Sequence, residues 1–151
     1  MLAGAVLGAS LAAGFAVFHP EPAPHTAAAP APAFSRSFEA RALGVLDGDT
    51  FEARVAAFPG HEVVTRVRIA GLDAPERRGR CDGETQAASA ATEALRRLID
   101  GRRLTLAEVR GDKYFGRVVA RVSTSDAGDV AAALVAQGHG RAYAGGRRAG
   151  W

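Results

Sequence analysis

Cysteine is nearly absent from the sequence, because Cys81 is the single one in 151 residues. One cysteine excludes an intrachain disulfide and any zinc site built from several thiolates. No histidine or asparagine pattern accompanies Cys81, so nothing favours a thiol nucleophile. Internal repeats are also missing, and neither standard glycine-rich phosphate-binding loop occurs.

Lysine is almost as scarce, since Lys113 is the only one among 19 basic residues and the other 18 are arginines. A guanidinium group binds phosphate or carboxylate through two parallel hydrogen bonds, which suits a polyanionic partner. A GC-rich coding sequence explains the same bias without any partner. Composition alone therefore leaves both explanations open.

The first 33 residues contain no lysine or arginine and a single acid, Glu21. Residues 1–18 are predicted to be either a signal peptide or an N-terminal membrane anchor, because their apolar run is slightly shorter than the ~20 residues of a membrane helix. Residues 19–35 are rich in proline and alanine and are predicted to form an extended linker. We therefore expect the protein to be secreted, periplasmic or, if residues 1–18 are not cleaved, anchored to the membrane.

Residues 36–151 have the length of one ordinary domain, with 19 basic residues against 15 acidic ones. Alternating apolar residues predict three strands up to Gly71, the first two joined by a turn at Asp47-Gly48. A helix is predicted within 82–101, then two strands and a short helix with Asp129 as its N-cap. Five antiparallel strands with two or more helices fit an α+β domain, a five-stranded oligonucleotide-binding (OB-fold) β-barrel.

Three acids are not explained by this secondary structure: Asp49, Asp73 and Glu76. Asp49 lies where a strand should begin, although aspartate is disfavoured in strands. If the first hairpin packs beside the third strand, Asp49 and Asp73 approach each other, which is costly unless a cation or a proton intervenes. Oxygen donors without histidine or cysteine suit Ca²⁺, Mg²⁺ or Mn²⁺. On spacing alone, ordinary turn and loop roles remain the simpler alternative.

Arginines near these acids change the interpretation. Arg68 precedes Asp73 by five residues and shares a strand face with Arg66, and Arg117 begins a later strand. A guanidinium facing a carboxylate-bound cation can hold a phosphate between them and stabilise charge that grows on phosphorus. A surface ion pair is the alternative role for each arginine.

The segments DGDT, RIAGLDAPE and DKYFGR occur in an order and at separations that resemble the staphylococcal (thermonuclease, micrococcal) nuclease family. The resemblance runs from about Leu43 to Tyr143 and includes ALVAQG on the last helix. It implies an OB-fold barrel and a Ca²⁺-dependent phosphodiesterase that acts on DNA and/or RNA, leaves 3′-phosphate ends and is expected to be a monomer. The alternative is a catalytically inactive OB-fold module that binds nucleic acid or protein.

Motif positions within this resemblance imply roles for individual residues. The implied catalytic residues, a general base and two phosphate-clamping arginines, are Glu76, Arg68 and Arg117. The implied calcium ligands, two carboxylates and one backbone carbonyl, are Asp49, Asp73 and Ala74. The implied substrate-binding residues are Lys113, Tyr114 and Tyr143. Phe115 is an extra residue within the last motif and departs from the family pattern.

Overall fold

The structure, a computed structural model, describes residues 36–77 and 81–146. The predicted signal peptide or anchor (1–18) and the predicted linker (19–35) lie outside the described residues. Among the residues that are described, no helix is long and apolar enough to cross a membrane.

Within the described residues, five long strands form a closed barrel, accompanied by two helices and three strands of two residues each. The long strands are β1 (Phe38–Asp47), β2 (Thr50–Phe58), β3 (His61–Ile69), β5 (Leu104–Gly111) and β6 (Arg117–Thr124). The short strands are β4 (Leu72–Asp73), β7 (Gly128–Asp129) and β8 (Arg141–Ala142). The helices are α1 (Asp82–Ile99) and α2 (Val130–Ala136). The predicted α+β class with a five-stranded OB-fold barrel is confirmed.

The prediction that all five strands are antiparallel is wrong for one pair. The strands follow the order β3-β2-β1-β5-β6, and β3 also pairs with β6 to close the barrel. This last pairing is parallel, with Arg66 opposite Arg117 and Arg68 opposite Val119. A parallel pair needs a long connection, which α1 and β5 supply. Closure pairs the second half of β3, from Arg66 to Ile69, which would otherwise be a free edge.

Both helices lie where they were predicted. One side of α1 is buried, because Ala88, Ala91, Leu95 and Ile99 recur at helical spacing. Helix α2 begins after Asp129, whose carboxylate accepts a hydrogen bond from the Ala132 amide at 2.9 Å. The barrel interior is filled by apolar side chains that alternate along the strands, among them Phe51, Ala53, Val67, Ile69, Leu104, Leu106, Ala120 and Val122.

The turn of the first hairpin is displaced by one residue from its prediction. Asp47 pairs with Thr50, so Gly48 and Asp49 form the turn and Asp47 ends β1. The Asp47 carboxylate accepts a hydrogen bond from the Asp49 amide at 3.1 Å, a local bond that stabilises aspartate in turns. Because Asp49 lies in the turn and not in a strand, the low strand propensity of aspartate has no cost here. At the other end of the same ladder, Ala40 lies opposite Val55.

Gly48 is required by a close approach rather than by its backbone angle. A Cβ atom built at Gly48 would lie 2.7 Å from the Cβ of Ala91 on α1 and 2.9 Å from the Cβ of Ala74. Both distances are shorter than real carbon–carbon contacts. The missing side chain thus lets the hairpin turn, helix α1 and the segment after β4 meet at one point.

Replacing Gly48 with alanine is expected to lower the free energy of unfolding by about 1–3 kcal/mol, the usual cost of overpacking. Urea unfolding of the parent and the variant measures the difference. Gly44→Ala is the matched control in the same strand pair, because no atom lies within 4 Å of its Cβ position. Equal losses in the two variants would show that the close contact at Gly48 has no special cost.

Candidate functional site

An open cleft of about 1160 Å³ lies on the outer surface of the barrel, over β3, β6 and the first hairpin turn. All of the predicted site residues except Asp73 and Ala74 line this cleft. These two are buried, and Ala74 is packed against the Gly48 turn. The fold therefore brings segments separated by almost a hundred residues to one surface.

Strand alternation explains why the arginines share that surface. Val67 and Ile69 of β3 point into the core, so Arg66 and Arg68 point outward. Arg117 is opposite Arg66 in the parallel pair with β6, and residues directly opposite project from the same face. The predicted common face of Arg66 and Arg68 is confirmed by this register.

Asp49 is buried at the bottom of the cleft, and both of its carboxylate oxygens are engaged. Oδ1 accepts a hydrogen bond from the Thr50 hydroxyl at 2.8 Å. Oδ2 lies 2.5 Å from Nη1 of Arg68. The Asp49 carbonyl accepts a hydrogen bond from the Ile69 amide at 2.8 Å, which fixes the turn against the end of β3. The carboxylate is thus held in place by groups on β2 and β3.

Asp73 is positioned by a second, small sheet. It lies on β4 opposite Arg141 of β8, and it is 4% exposed. Gly140 allows β8 to approach, because a Cβ atom there would lie 3.1 Å from the Asp73 carbonyl oxygen and 2.5 Å from Cδ1 of Leu72. Strands β4 and β8 were not predicted, since two residues are too few to show alternation.

The oxygen donors of Asp49, Asp73 and Ala74 are of the kind that a hard cation prefers. Asp49 and Asp73 are both buried carboxylates, and Ala74, whose Cβ packs against the Gly48 turn, has a backbone carbonyl as a further oxygen donor. In the described ranges, however, no three acidic, histidine or cysteine side chains lie together in a group that could hold a metal ion. Any such ion would therefore rely on two carboxylates, with backbone and water oxygens completing its coordination. The Arg68 guanidinium already neutralises one Asp49 oxygen.

Arg117 is oriented by two neighbours from the hairpin loop that joins β5 to β6. Its Nε lies 2.5 Å from Oδ2 of Asp112. Its guanidinium carbon stands 4.5 Å from the ring centroid of Tyr114, and Nζ of Lys113 lies 5.0 Å from the same centroid. Asp112 was not among the predicted site residues, although its position five residues before Arg117 in a hairpin was a usable signal.

The remaining predicted residues form the walls of the cleft. Glu76 follows buried Pro75 and is exposed to the cleft. Tyr143 is fixed by its amide, which donates to the Gly71 carbonyl at 3.0 Å, and by its hydroxyl, which donates to the Gly146 carbonyl at 2.6 Å. Both side chains face the same opening as the arginines.

Negative charge is concentrated at the hairpin turn. Burial and, after it, the charge of Asp49 raise the pKa of Asp47 above its ordinary value. Asp47 and Asp49 both line the cleft within three residues of one turn. A positive group bound at this point would relieve their repulsion.

The pKa of Asp112 is shifted in the opposite direction. Burial raises it, but hydrogen bonds from the Arg117 side chain and the Lys113 amide, together with the charges of Arg117 and Arg68, lower it below the ordinary 3.8. A carboxyl with a lowered pKa in the folded state stabilises the fold above its unfolded pKa. That contribution is lost as the pH falls through the lower, folded-state pKa.

We therefore expect Asp112→Asn to be less stable than the parent at neutral pH, with a difference that shrinks as the pH falls below about 3.8. Thermal unfolding from pH 7 downward, with reversibility checked at each pH, measures this convergence. Glu39→Gln, which removes an exposed acid of β1, is the control for the loss of one negative charge. A difference in stability that stays the same at every pH would contradict the proposed coupling of Asp112 to Arg117.

Residues 66–149, more than half of the chain, match the family model described as staphylococcal nuclease homologue. The matched region begins within β3 at Arg66, includes the DAPE segment and the DKYFG loop, and ends beyond β8. No curated protein matches the chain with significance.

Proposed function

The chain belongs to the family of staphylococcal nuclease homologues, and on this premise we propose that it hydrolyses phosphodiester bonds of DNA, RNA or both. The family has a nuclease-type fold and binds nucleic acids. One observation carries the proposal: Arg68 and Arg117 share one face of a cleft, and Glu76 lines the wall of the same cleft.

The two arginines are the proposed phosphate clamp. Arg68 and Arg117 project from neighbouring strands two residues apart in register, and each is held by a carboxylate, Asp49 or Asp112. Held in this way, their guanidinium groups need little reorganisation when negative charge grows on a five-coordinate phosphorus. Arg117 is also supported by the face of Tyr114.

Calcium is the proposed cofactor, with Mg²⁺ or Mn²⁺ as alternatives. Asp49, Asp73 and the Ala74 carbonyl would hold the ion, because they supply the oxygen donors that hard cations prefer. When bound, the ion would neutralise a phosphate oxygen and lower the pKa of a nearby water. The Arg68 guanidinium has five N–H donors, and those that Asp49 does not engage would bind the phosphate.

Glu76 is the proposed general base. Its exposed carboxylate at the cleft wall can accept a proton from a water that attacks phosphorus. The water oxygen bonds to phosphorus as the P–O5′ bond breaks, and the 5′ oxygen takes up a proton from solvent, which leaves a 3′-phosphate end. Lys113 and Tyr114 are proposed to contact a terminal phosphate, and Tyr143 a base, because all three line the same cleft.

The proposed location is outside the cytoplasm. The apolar run at residues 1–18 and the Pro/Ala-rich 19–35 segment support export, with membrane attachment if the run is retained. Mass determination of the N-terminus in secreted, periplasmic and membrane fractions tests this point. We propose a monomer, which size-exclusion chromatography with light scattering tests.

Incubating the purified protein with single-stranded DNA and with RNA, in Ca²⁺ or in chelator, tests the activity. We expect cleavage only with the metal, and products that lose a terminal phosphate when treated with a 3′-phosphatase. A folded sample that cleaves neither substrate in either condition would refute the proposed hydrolysis.

A non-catalytic binding module is the second candidate. It is favoured by the absence, within the residues that the structure covers, of a cluster of three metal-binding side chains. This candidate predicts an electrophoretic shift of nucleic acid that weakens steeply with salt and is accompanied by no cleavage.

A further inference from the structure

Two arginines of the cleft differ from Arg68 and Arg117 in forming no ion pair with any described residue, although Glu52 of β2 lies directly opposite one of them, Arg66. Arg66 on β3 and Arg110 on β5 are exposed and line the cleft. Within residues 36–77 and 81–146, neither side chain lies within ion-pair distance of an acid, whereas Arg68 and Arg117 are both paired. Their guanidinium groups are therefore available to an anion from solution.

A bulge in β5 places Arg110 on this surface. Ala107 is opposite Arg121 and Arg110 is opposite Val119, so β5 has one more residue than β6 between these pairs. The extra residue reverses the alternation and turns Arg110 to the outer face. Glu108 within the bulge has a φ of +52°, and it is the only non-glycine residue in the described part with a positive φ. Glu108 thus keeps an unfavourable backbone conformation within the bulge that directs Arg110 into the cleft.

Phe115 occupies the edge of the same cleft. It lies at the tip of the loop between β5 and β6, is fully exposed and lines the opening. An entirely exposed phenylalanine buries no area in the fold, so it contributes nothing to the stability of the barrel. Tyr114 beside it is already covered by the two cations described above.

We propose that Arg66, Arg110 and Phe115 form a second binding subsite, which holds an unpaired nucleic-acid strand beyond the scissile phosphate. The inference rests on the proposed function and specifies its substrate as single-stranded. Arg66 and Arg110 contact backbone phosphates on either side of β6, and Phe115 stacks on a base. A base can stack on an external aromatic ring only when it is free of its own helix, which selects single strands over duplex.

Binding in the presence of chelator tests the subsite without cleavage. Fluorescence anisotropy of a labelled 12-nucleotide single strand and of the matching duplex gives the affinities. We expect Phe115→Ala to weaken binding of the single strand about tenfold and to affect the duplex much less. Arg66→Ala combined with Arg110→Ala should reduce the slope of log affinity against log salt by about 0.7 per lost phosphate contact. Phe115→Trp should retain the affinity.

Matched controls come from exposed residues outside the cleft. Phe58→Ala removes a 69% exposed phenylalanine at the β2–β3 tip, and Arg97→Ala removes an exposed arginine of α1. Neither change should alter the affinity or the salt slope. Circular dichroism confirms that every variant is folded.

Three results would overturn the inference. If the parent binds and cleaves nucleic acid, and both Phe115→Ala and the double arginine variant bind as tightly as the parent, the subsite alone is refuted. Equal losses for single strand and duplex would refute the proposed selectivity. A parent that neither binds nor cleaves nucleic acid would refute the proposed function, and the subsite with it.

Discussion

Replacing Glu76 with glutamine is expected to reduce the cleavage rate by roughly 10²- to 10⁴-fold, the range over which a positioned general base contributes. Glutamine has nearly the same shape but cannot accept the proton of the attacking water. Glu76 is exposed at the cleft, so the fold should be unaffected. Single-turnover cleavage measures the rate, and isothermal titration with Ca²⁺ shows whether metal binding is retained.

Glu39→Gln is the matched control for that experiment, because Glu39 is an exposed acid on β1 outside the cleft. It should cleave at the parent rate. Full activity of Glu76→Gln would eliminate Glu76 as the base and would leave the phosphate clamp untested by this variant.

Replacing Arg68 with alanine is expected to have two large effects. The cleavage rate should fall by roughly 10²- to 10³-fold, because a group that stabilises charge in the transition state is lost. The metal-free protein should also lose about 3–5 kcal/mol of stability, since the buried Asp49 carboxylate is left without its guanidinium partner. Stopped-flow cleavage and urea unfolding measure the two effects separately.

Calcium should reverse only the second of these effects. An ion bound to Asp49 replaces the lost positive charge, so Ca²⁺ should restore the stability of Arg68→Ala without restoring its rate. The control is Arg54→Ala, whose ion pair with Glu62 is exposed and is worth less than about 1 kcal/mol. If Arg68→Ala were as stable as the parent without metal, the pairing with Asp49 would contribute little to the fold.

The elements that could be predicted from the sequence are those with long patterns or definite end signals. Helix α1 repeats small and apolar residues over 18 positions, and α2 begins at an aspartate that caps it. The strands of the barrel alternate over eight to ten residues. Three ordered motifs placed the arginines and acids that the fold, apart from the buried Asp73, then brings to one cleft.

What the sequence could not predict depends on contacts between distant segments. The parallel pairing of β3 with β6 follows from barrel closure, and no local pattern encodes it. The turn at Gly48-Asp49 is set by a hydrogen bond from the Asp49 amide and by packing against Ala91. The bulge that directs Arg110 outward is invisible in the alternation of β5, because one extra residue there resembles ordinary irregularity.

The course of β1 has a consequence for how the molecule can be attached. The strand starts beside the end of β2 and runs ten residues to Asp47, so its beginning lies up to about 30 Å from the Gly48-Asp49 turn. The chain therefore enters β1 at the end of the strand that is remote from this turn. Immobilisation through that end, on a bead or at a lipid surface, should leave the approach of long polymers unobstructed.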